Sequence, residues 1–430
     1  MDAPPRRTSS STHRAIPRGT REPPLTTSEQ PIAQQRTGQQ RNGQQPEPAR
    51  APLARFWAYV TTRAWPLWTV YTLAVVLARL TADPTRGSVY NIYRVAGQQW
   101  LDGGPLYDQS GFYYLPGAAL PFVPLAELPF AIGGAIWRVV TLMVFVLGTW
   151  RLLRDCGATR SARRWFPLVS LVVAALTWSC ARHGQMTLAM GGVMMLAVAW
   201  LQRERWWPAA LALAGAVALK PLAVVLLLIA PFLCPRVTWR LAVASVLFFA
   251  LPFAFQSFDY VWSQYAAVPE MLRTASNREQ TELFYHLPAL LQSLGVPVGI
   301  PARFALRAGF AVATLALCVL VHRRVENSRQ GFFLISFTMG YILLFGSGTE
   351  RNTYSLMVPP LGLLLALAID RGERGLAWLL GAMAFATLTL SSVLSRAFPG
   401  TPIGMLKVWV CLLFLALVLR EVRATRKRGP

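Results

Sequence analysis

The sequence predicts an all-α, polytopic membrane protein with about twelve membrane segments, one of them a helix pair broken in the middle. Three observations predict it. Hydrophobic residues fill 54% of the 430 positions and charged ones only 14%. Apolar blocks of roughly 17 to 25 residues recur along the chain, each long enough at 1.5 Å per residue to cross about 30 Å of hydrocarbon. Basic residues collect in the N-terminal segment, the short loops between the blocks and the tail "REVRATRKRGP". A formal charge of +23 in a soluble chain would suggest nucleic acid; distributed this way it reports membrane orientation, and no nucleic-acid partner is expected.

Residues 1–55, rich in Arg, Gln, Pro, Ser and Thr, carry too little apolar surface to offset the entropy of ordering, and read as a disordered, basic cytoplasmic arm. This arm lacks the apolar core and cleavage site of a signal peptide. Residues 56–420 form the membrane domain and 421–430 a basic cytoplasmic tail. Spans are predicted near 64–82, 130–150, 166–182, 185–202, 239–257, 303–321, 331–348, 354–370, 375–393 and 402–420. The block 207–234, "WPAALALAGAVALKPLAVVLLLIAPFLC", is either one long span or two short helices broken at Lys220-Pro221, because proline disrupts a helix interior.

Charge parity selects the broken pair. A single crossing would put "HRRVENSRQ", "DRGERG" and the basic tail on the side opposite the basic arm. Two halves that turn back leave every short basic loop, and both termini, in the cytoplasm. Three polar stretches then face outward: 83–129, 258–301 and the short "SGTERNTY" at 347–354.

The first of these contains "GGPLYDQSGFYYLPGAALPFVPLAELP", Gly103 to Pro129. Its Gly-Gly-Pro opening suits a tight turn, and the proline-broken run behind it is too short to span, so a re-entrant or peripheral helix is expected. Before it, Tyr90, Tyr93 and Trp100 alternate with Asn91, Arg94 and Gln98 as on an amphipathic interfacial helix. Asp83 stands directly after the first span, where a lipid-linked headgroup would sit. "ARHGQMTL" places Arg182, His183 and Gln185 at an outer turn, where a cation pair can grip phosphate. Lys220 lies within an apolar block, a placement costing at least about 2.5 kcal/mol unless it faces a cavity or counter-ion. The chain is otherwise Arg-rich, which singles out its three lysines, Lys220, Lys407 and Lys427. Glu350, Arg351, Asn352 and Tyr354 crowd a loop too short to need charge for solubility. In the second outer stretch, 258–301, Asn277 and His286 stand out from what reads as a solvated face. The five cysteines show no metal-ligand spacing and read as small buried side chains.

The ordered run "SVYNIYRVAGQQWLDGGPLYD", "FYYLPGAALPFVPLAELP", "GQMTL" and "AALALAGAVALKPLAVVLLLI" resembles glycosyltransferase family 87. The resemblance covers about residues 80–360. It implies a GT-C-like membrane fold and transfer of mannose, another hexose or a pentose, with inversion, from a polyprenyl-phosphate sugar to a hydroxyl of a lipid or glycan acceptor. No further cofactor and no metal is implied. A first-loop aspartate would be general base: Asp83 here, with Asp102 or Asp108 as alternatives. The family aspartate usually stands directly before the "VY" element, where this chain has Arg86, Gly87 and Ser88. Lys220, Arg351, Arg182 and His183 would hold the donor phosphate. Gln185, Glu350, Tyr90, Arg94 and His286 complete the candidate site. Arg351 occupies the place of a family histidine. The implied location is the inner membrane of a bacterium. Two other readings fit the same residues: a lipid-linked glycan transporter, and a catalytically inactive family member serving as a scaffold.

Overall fold

A computed structural model describes residues 64–81, 88–107, 111–156, 162–281 and 284–425. Asp83, Asp108 and the whole of the expected N-terminal arm lie outside the described residues. The helices used below are α1 (Ala64–Leu80), α2 (Tyr90–Asp102), α3 (Phe130–Cys156), α4 (Ala162–His183), α5 (Met186–Gln202), α6 (Trp206–Leu219), α7 (Val224–Leu233), α8 (Thr238–Ala250), α9 (Phe258–Ala266), α10 (Val268–Thr281), α11 (Ile300–Arg324), α12 (Asn327–Phe345), α13 (Val358–Asp370), α14 (Arg374–Phe385) and α15 (Leu406–Ala424). Among the described residues, six stretches are long and apolar enough to cross a membrane: Phe130–Cys156, Arg164–His183, Pro235–Ala254, Ile300–Arg324, Arg351–Asp370 and Arg374–Ala397. Shorter apolar helices, α1, α5, α6 and the Pro221–Leu233 stretch among them, accompany these. The described apolar helices thus divide into full-length and short ones. Short ones suffice where protein rather than lipid surrounds them, as for α5, whose residues are nearly all buried.

The broken pair is present. α6 stops at Leu219, and Lys220 adopts an extended backbone (φ −150°, ψ 119°), the conformation imposed on a residue preceding proline. The chain then turns back. Glu204, just before α6, lies 3.8 Å from Arg236, just after α7. Leu201, Trp206, Leu233, His322 and Gln330 line one cavity with them. Lys220 therefore caps a helical hairpin. The sequence reading set it deep within an apolar block; folding at Pro221 moves it to the tip, because each half is only a short helix.

Every described basic loop falls at one end of the bundle. Asp155, with its side chain 1% exposed, is held there by Arg151, Arg154 and Arg203 at 3.4, 2.9 and 2.6 Å. Arg164 reaches Asp370, and Arg329 and Arg371 converge on Glu421. The opposite end gathers the three polar stretches that the parity reading set outward.

Two helices meet with almost nothing between them. A methyl group added at Gly148 in α3 would stand 2.5 Å from the Gly192 carbonyl in α5, and one at Gly192 would stand 2.6 Å from the Val144 carbonyl. This close approach of small residues holds α3 against α5 and sets where the first turn of α5 emerges.

Residues 103–107 and 111–129 build a second apolar core at the polar end. Gly103 takes φ 70° and ends α2, and Pro116–Phe122 forms a 3₁₀ turn. Tyr90, Tyr93, Trp100, Leu106, Phe112, Ala119, Phe122 and Trp137 pack together there. Tyr93 stacks on Phe122 at 4.8 Å, and Phe122 meets Trp137 edge-on at 4.5 Å. The prolines and aromatics of the stretch thus form a folded cap joining α2, α3 and α9. Gly97 permits it, since a Cβ there would stand 2.7 Å from the Phe122 carbonyl.

Candidate functional site

Four segments far apart in sequence meet at the polar end. The first turn of α5 emerges from the tight turn at Gly184 (φ 68°). Its unpaired Met186 amide is taken by the Tyr93 hydroxyl at 3.2 Å, so the second core anchors that turn directly. From this turn the Gln185 amide donates to a Glu350 carboxylate oxygen at 3.1 Å. The Lys220 ammonium donates to Thr187 Oγ1 at 3.0 Å. The Arg351 guanidinium donates to Ser395 Oγ at 2.7 Å and lies 5.9 Å from the Tyr285 ring centre. From the start of α15, Lys407 donates to the Arg351 carbonyl at 3.0 Å. Beneath them the buried Cys180 thiol donates to Gln185 Oε1 at 3.5 Å.

The support is rigid. Tyr285 is fixed by donation of its amide to the Thr349 carbonyl at 2.8 Å, and Tyr354 donates to the Tyr285 carbonyl at 3.0 Å. Thr349 is itself buried and turned back onto the Gly346 carbonyl. Glu350 and Arg351 stay exposed. Lys220 is thus tied through Thr187, and Arg351 and Lys407 through the 350–351 turn, to the segment where one carboxylate is partnered by a neutral amide. Cations grouped near the start of α5 suit a phosphate group.

Several expected site residues do other work. Tyr90 is fully buried and donates to the Leu125 carbonyl, and Arg94 donates to the Ala126 carbonyl, both fixing α2 on the cap. Asp102 is exposed and accepts from Gln98. His286 is buried and caps the short helix Leu287–Ser293, its Nδ1 accepting from the Ala289 amide at 3.1 Å. Arg182 is exposed, and His183 turns its Nδ1 onto the Ser179 carbonyl of its own helix at 2.6 Å. Among the described residues, neither of these two hydrogen-bonds Lys220 or Arg351. The side chain of Asn277 lies outside the described residues. Among the described residues, no group of three or more His, Cys, Asp or Glu side chains could hold a metal ion.

Arg138 was not singled out by the sequence. It is buried in the second turn of α3, donating to the Gly134 and Arg182 carbonyls and to Ser88 Oγ. With Val89 donating to the His183 carbonyl at 3.1 Å and Trp137 to the Gly184 carbonyl at 2.8 Å, it ties the start of α2 to the α4–α5 turn. One arginine at a helix start reads in sequence as an ordinary membrane flank, so nothing marked it. Lys407 carried a signal only as a lysine in an Arg-rich chain.

The profile of glycosyltransferase family 87 matches residues 112–347. The chain belongs to this family. As a member of glycosyltransferase family 87, it is similar to the polyprenol-phosphate-mannose-dependent alpha-(1-2)-phosphatidylinositol mannoside mannosyltransferase of Mycolicibacterium smegmatis, with 30% identity over 301 residues, 61% of this chain. That alignment spans 65% of the relative's length. The protein of the same description from Mycobacterium tuberculosis is 25% identical over 348 residues, 74% of this chain and 76% of the relative. A solved structure, ArnT from Cupriavidus metallidurans bound to undecaprenyl phosphate, aligns over 84% of this chain and 77% of its own at 14% identity with a TM-score of 0.42, a likeness too loose to build on. Within this family-87 chain, Gln185, Thr187 and Lys220 fall inside the profile-matched residues, whereas Glu350, Arg351 and Lys407 lie beyond them.

Proposed function

We propose that this family-87 protein is an integral membrane glycosyltransferase. It moves a mannose-like hexose, or a pentose, from a polyprenyl phosphate to a hydroxyl of a lipid or glycan acceptor, with inversion. The observation that carries this reading is the meeting of Lys220 with the Gln185–Glu350 pair and Arg351 at one end of the bundle. Family membership and the polyprenol-phosphate-mannose dependence stated for both mycobacterial relatives support it.

The acceptor oxygen attacks the anomeric carbon from the face opposite the phosphate. The bond from that carbon to the phosphate oxygen breaks, and its electron pair leaves with the phosphate. Lys220 and Arg351 neutralise the charge that develops there. Gln185 orients the group, and its bond to Glu350 holds the carboxylate in place. A carboxylate takes the hydroxyl proton as the new bond forms. We give that role to Asp83, the first-loop aspartate, which stands several residues before the place the family aspartate usually takes and precedes the Ser88 that Arg138 holds.

The same proposal places the site outside the cell. Basic loops mark the cytoplasmic end of a bacterial inner-membrane protein. Accordingly the residues 350–351 face outward and both termini face the cytoplasm.

The test is transfer from undecaprenyl-phosphate mannose by the full chain in membranes, comparing wild type with Asp83→Asn and Lys220→Met. Loss of roughly a hundredfold or more in each variant is expected from removing a general base or a phosphate-binding cation. Unchanged transfer in both would overturn the assignment of the site.

A further inference from the structure

We propose that a cavity at the basic end of the bundle binds the headgroup of a primary-amine phospholipid, its ammonium held by Glu204, Gln202 and His322 and its phosphate by Arg236. The cavity measures about 380 Å3, within the range of small-ligand sites, and lies where α5, α7, α11 and α12 end or begin. It opens at the foot of the α6–α7 hairpin whose tip carries Lys220, so the proposal stands apart from the transfer reading. Glu204 carries it. Among the described residues it alone, glycines aside, has a positive φ, 55°. It follows the last turn of α5, its amide donating to the Leu201 carbonyl at 3.0 Å and the Arg205 amide to the Trp200 carbonyl at 2.9 Å. Glycine is favoured at such a helix end, because a Cβ crowds the left-handed backbone. The ion pair with Arg236 does not offset that strain: the groups stand 3.8 Å apart, too far for a hydrogen bond, with side chains 68% and 75% exposed. A strained backbone that keeps a carboxylate at a cavity mouth points to a ligand.

Two more acceptors line the same cavity. Gln202 Oε1 is shut off from solvent without a hydrogen-bond partner, a state that buried polar atoms seldom keep. Gln330 Nε2 donates to the His322 and Val325 carbonyls at 2.9 Å each, so its Oε1 accepts from His322 Nδ1, also at 2.9 Å. That fixes the tautomer and leaves Nε2 as the acceptor of the neutral ring. One carboxylate with two neutral acceptors suits a primary ammonium, which brings a single charge and three donors. Arg236, unbound by its long ion pair, keeps donors for the phosphate next to that amine. The membrane is the source. Behind the mouth Leu201, Leu233, Cys318, Val321 and Leu334 line an apolar recess that shares Gln202 and His322 with the cavity. Trp207 and Trp239, close in sequence to the lining residues Trp206 and Arg236, meet edge-on at 5.1 Å with both rings exposed, as at headgroup depth.

The full chain, purified in detergent and stripped of lipid, is titrated with dioleoyl phosphatidylethanolamine, phosphatidylcholine and phosphatidylglycerol, bound lipid being counted by native mass spectrometry. Phosphatidylcholine keeps the positive charge without an N–H donor, and phosphatidylglycerol lacks the cation. Wild type should bind phosphatidylethanolamine about tenfold more tightly than either. Glu204→Gln and Gln202→Leu should each shrink that preference to about threefold or less, whereas Arg236→Gln should weaken all three lipids alike. Equal binding of the three lipids by wild type, or an undiminished preference in Glu204→Gln, would overturn the site. Glu204→Gly separates binding from folding: freed of the crowded Cβ, it should melt at or above wild type without lipid and still lose the preference. Melting below wild type would make Glu204 a structural residue and overturn the proposal. Soluble phosphoethanolamine should fail to displace the lipid at equal concentration; displacement would make the occupant a free amino phosphate and overturn the membrane source.

Discussion

Gln185 and Glu350, 165 residues apart, are joined by an amide-to-carboxylate hydrogen bond of 3.1 Å that closes the candidate site between the start of α5 and the turn before α13. Gln185→Glu replaces that contact with two facing carboxylates. Like charges so close raise the apparent pKa of the pair above the ordinary carboxylate range. Below that raised value one shared proton restores a hydrogen bond; as pH rises through it both groups ionise and repel. Gln185→Glu should therefore melt below wild type at pH 8 in detergent, by roughly 1–3 kcal/mol of lost stability, and recover much of the gap at pH 5.5. Gln185→Leu should show a gap that hardly changes with pH. A gap for Gln185→Glu that widens on acidification would contradict the contact.

Part of this architecture was legible because its causes are local. Pro221 acts on its own neighbour, so the break at Lys220 could be read directly, and the parity of the basic loops then required the return of α7. The turn at Gly103 was legible for the same reason, as were most span positions, since an apolar run carries its own length. The partnership of Gln185 with Glu350 was not, because nothing in either neighbourhood encodes the other. Tyr90, Arg94 and His286 were picked as polar or aromatic residues in outward segments, but polarity at a helix start serves caps and packing equally well. Arg138 and Lys407 were missed as site-builders because their partners are backbone carbonyls, which leave no pattern in sequence. Asp83 rests on its place after the first span and on family resemblance.

At the basic end, Asp155 is 1% exposed and meets three arginines whose side chains are 26%, 37% and 41% exposed. Removing the carboxylate leaves those arginines partly hydrated, so the loss should fall below that of a fully buried pair. Asp155→Ala is expected to cost about 2 kcal/mol and lower the detergent melting temperature by several degrees, with sugar transfer at permissive temperature retained. Melting indistinguishable from wild type would show that the cluster contributes no stability.

The α3–α5 crossing should tolerate no side chain at Gly192. A Cβ there stands 2.6 Å from the Val144 carbonyl and 2.8 Å from the Phe145 Cα, both backbone, which cannot swing aside. Gly192→Ala should cost about 1–3 kcal/mol, and Gly192→Val should fail to accumulate as folded protein in membranes. Gly375, where an added Cβ meets nothing within 4 Å, is the control position: Gly375→Ala should be neutral or slightly stabilising. Equal melting of the two alanine variants would refute the close crossing.

The cap formed by residues 103–107 and 111–129 depends on a latch from α9. Tyr260 donates its hydroxyl to the Gly104 carbonyl at 2.9 Å and meets Trp100 edge-on at 5.5 Å, while Gln264 accepts from the Leu106 amide at 3.0 Å. These bonds satisfy backbone groups that the turn at Gly103 leaves without helical partners. Burial holds the Tyr260 hydroxyl up at about 12, so it remains a neutral donor across the physiological range. Tyr260→Phe keeps the ring contact and removes only the hydrogen bond, for an expected loss of about 1 kcal/mol. The loss should be local: hydrogen exchange should quicken over residues 99–107 roughly fivefold while exchange in α5 and α12 stays unchanged. Because α2 also carries Tyr93, whose hydroxyl anchors the Met186 amide, Gln264→Leu combined with Tyr260→Phe should extend the faster exchange to the first turn of α5. Unchanged exchange over residues 99–107 in the double variant would show that α9 does not hold the cap.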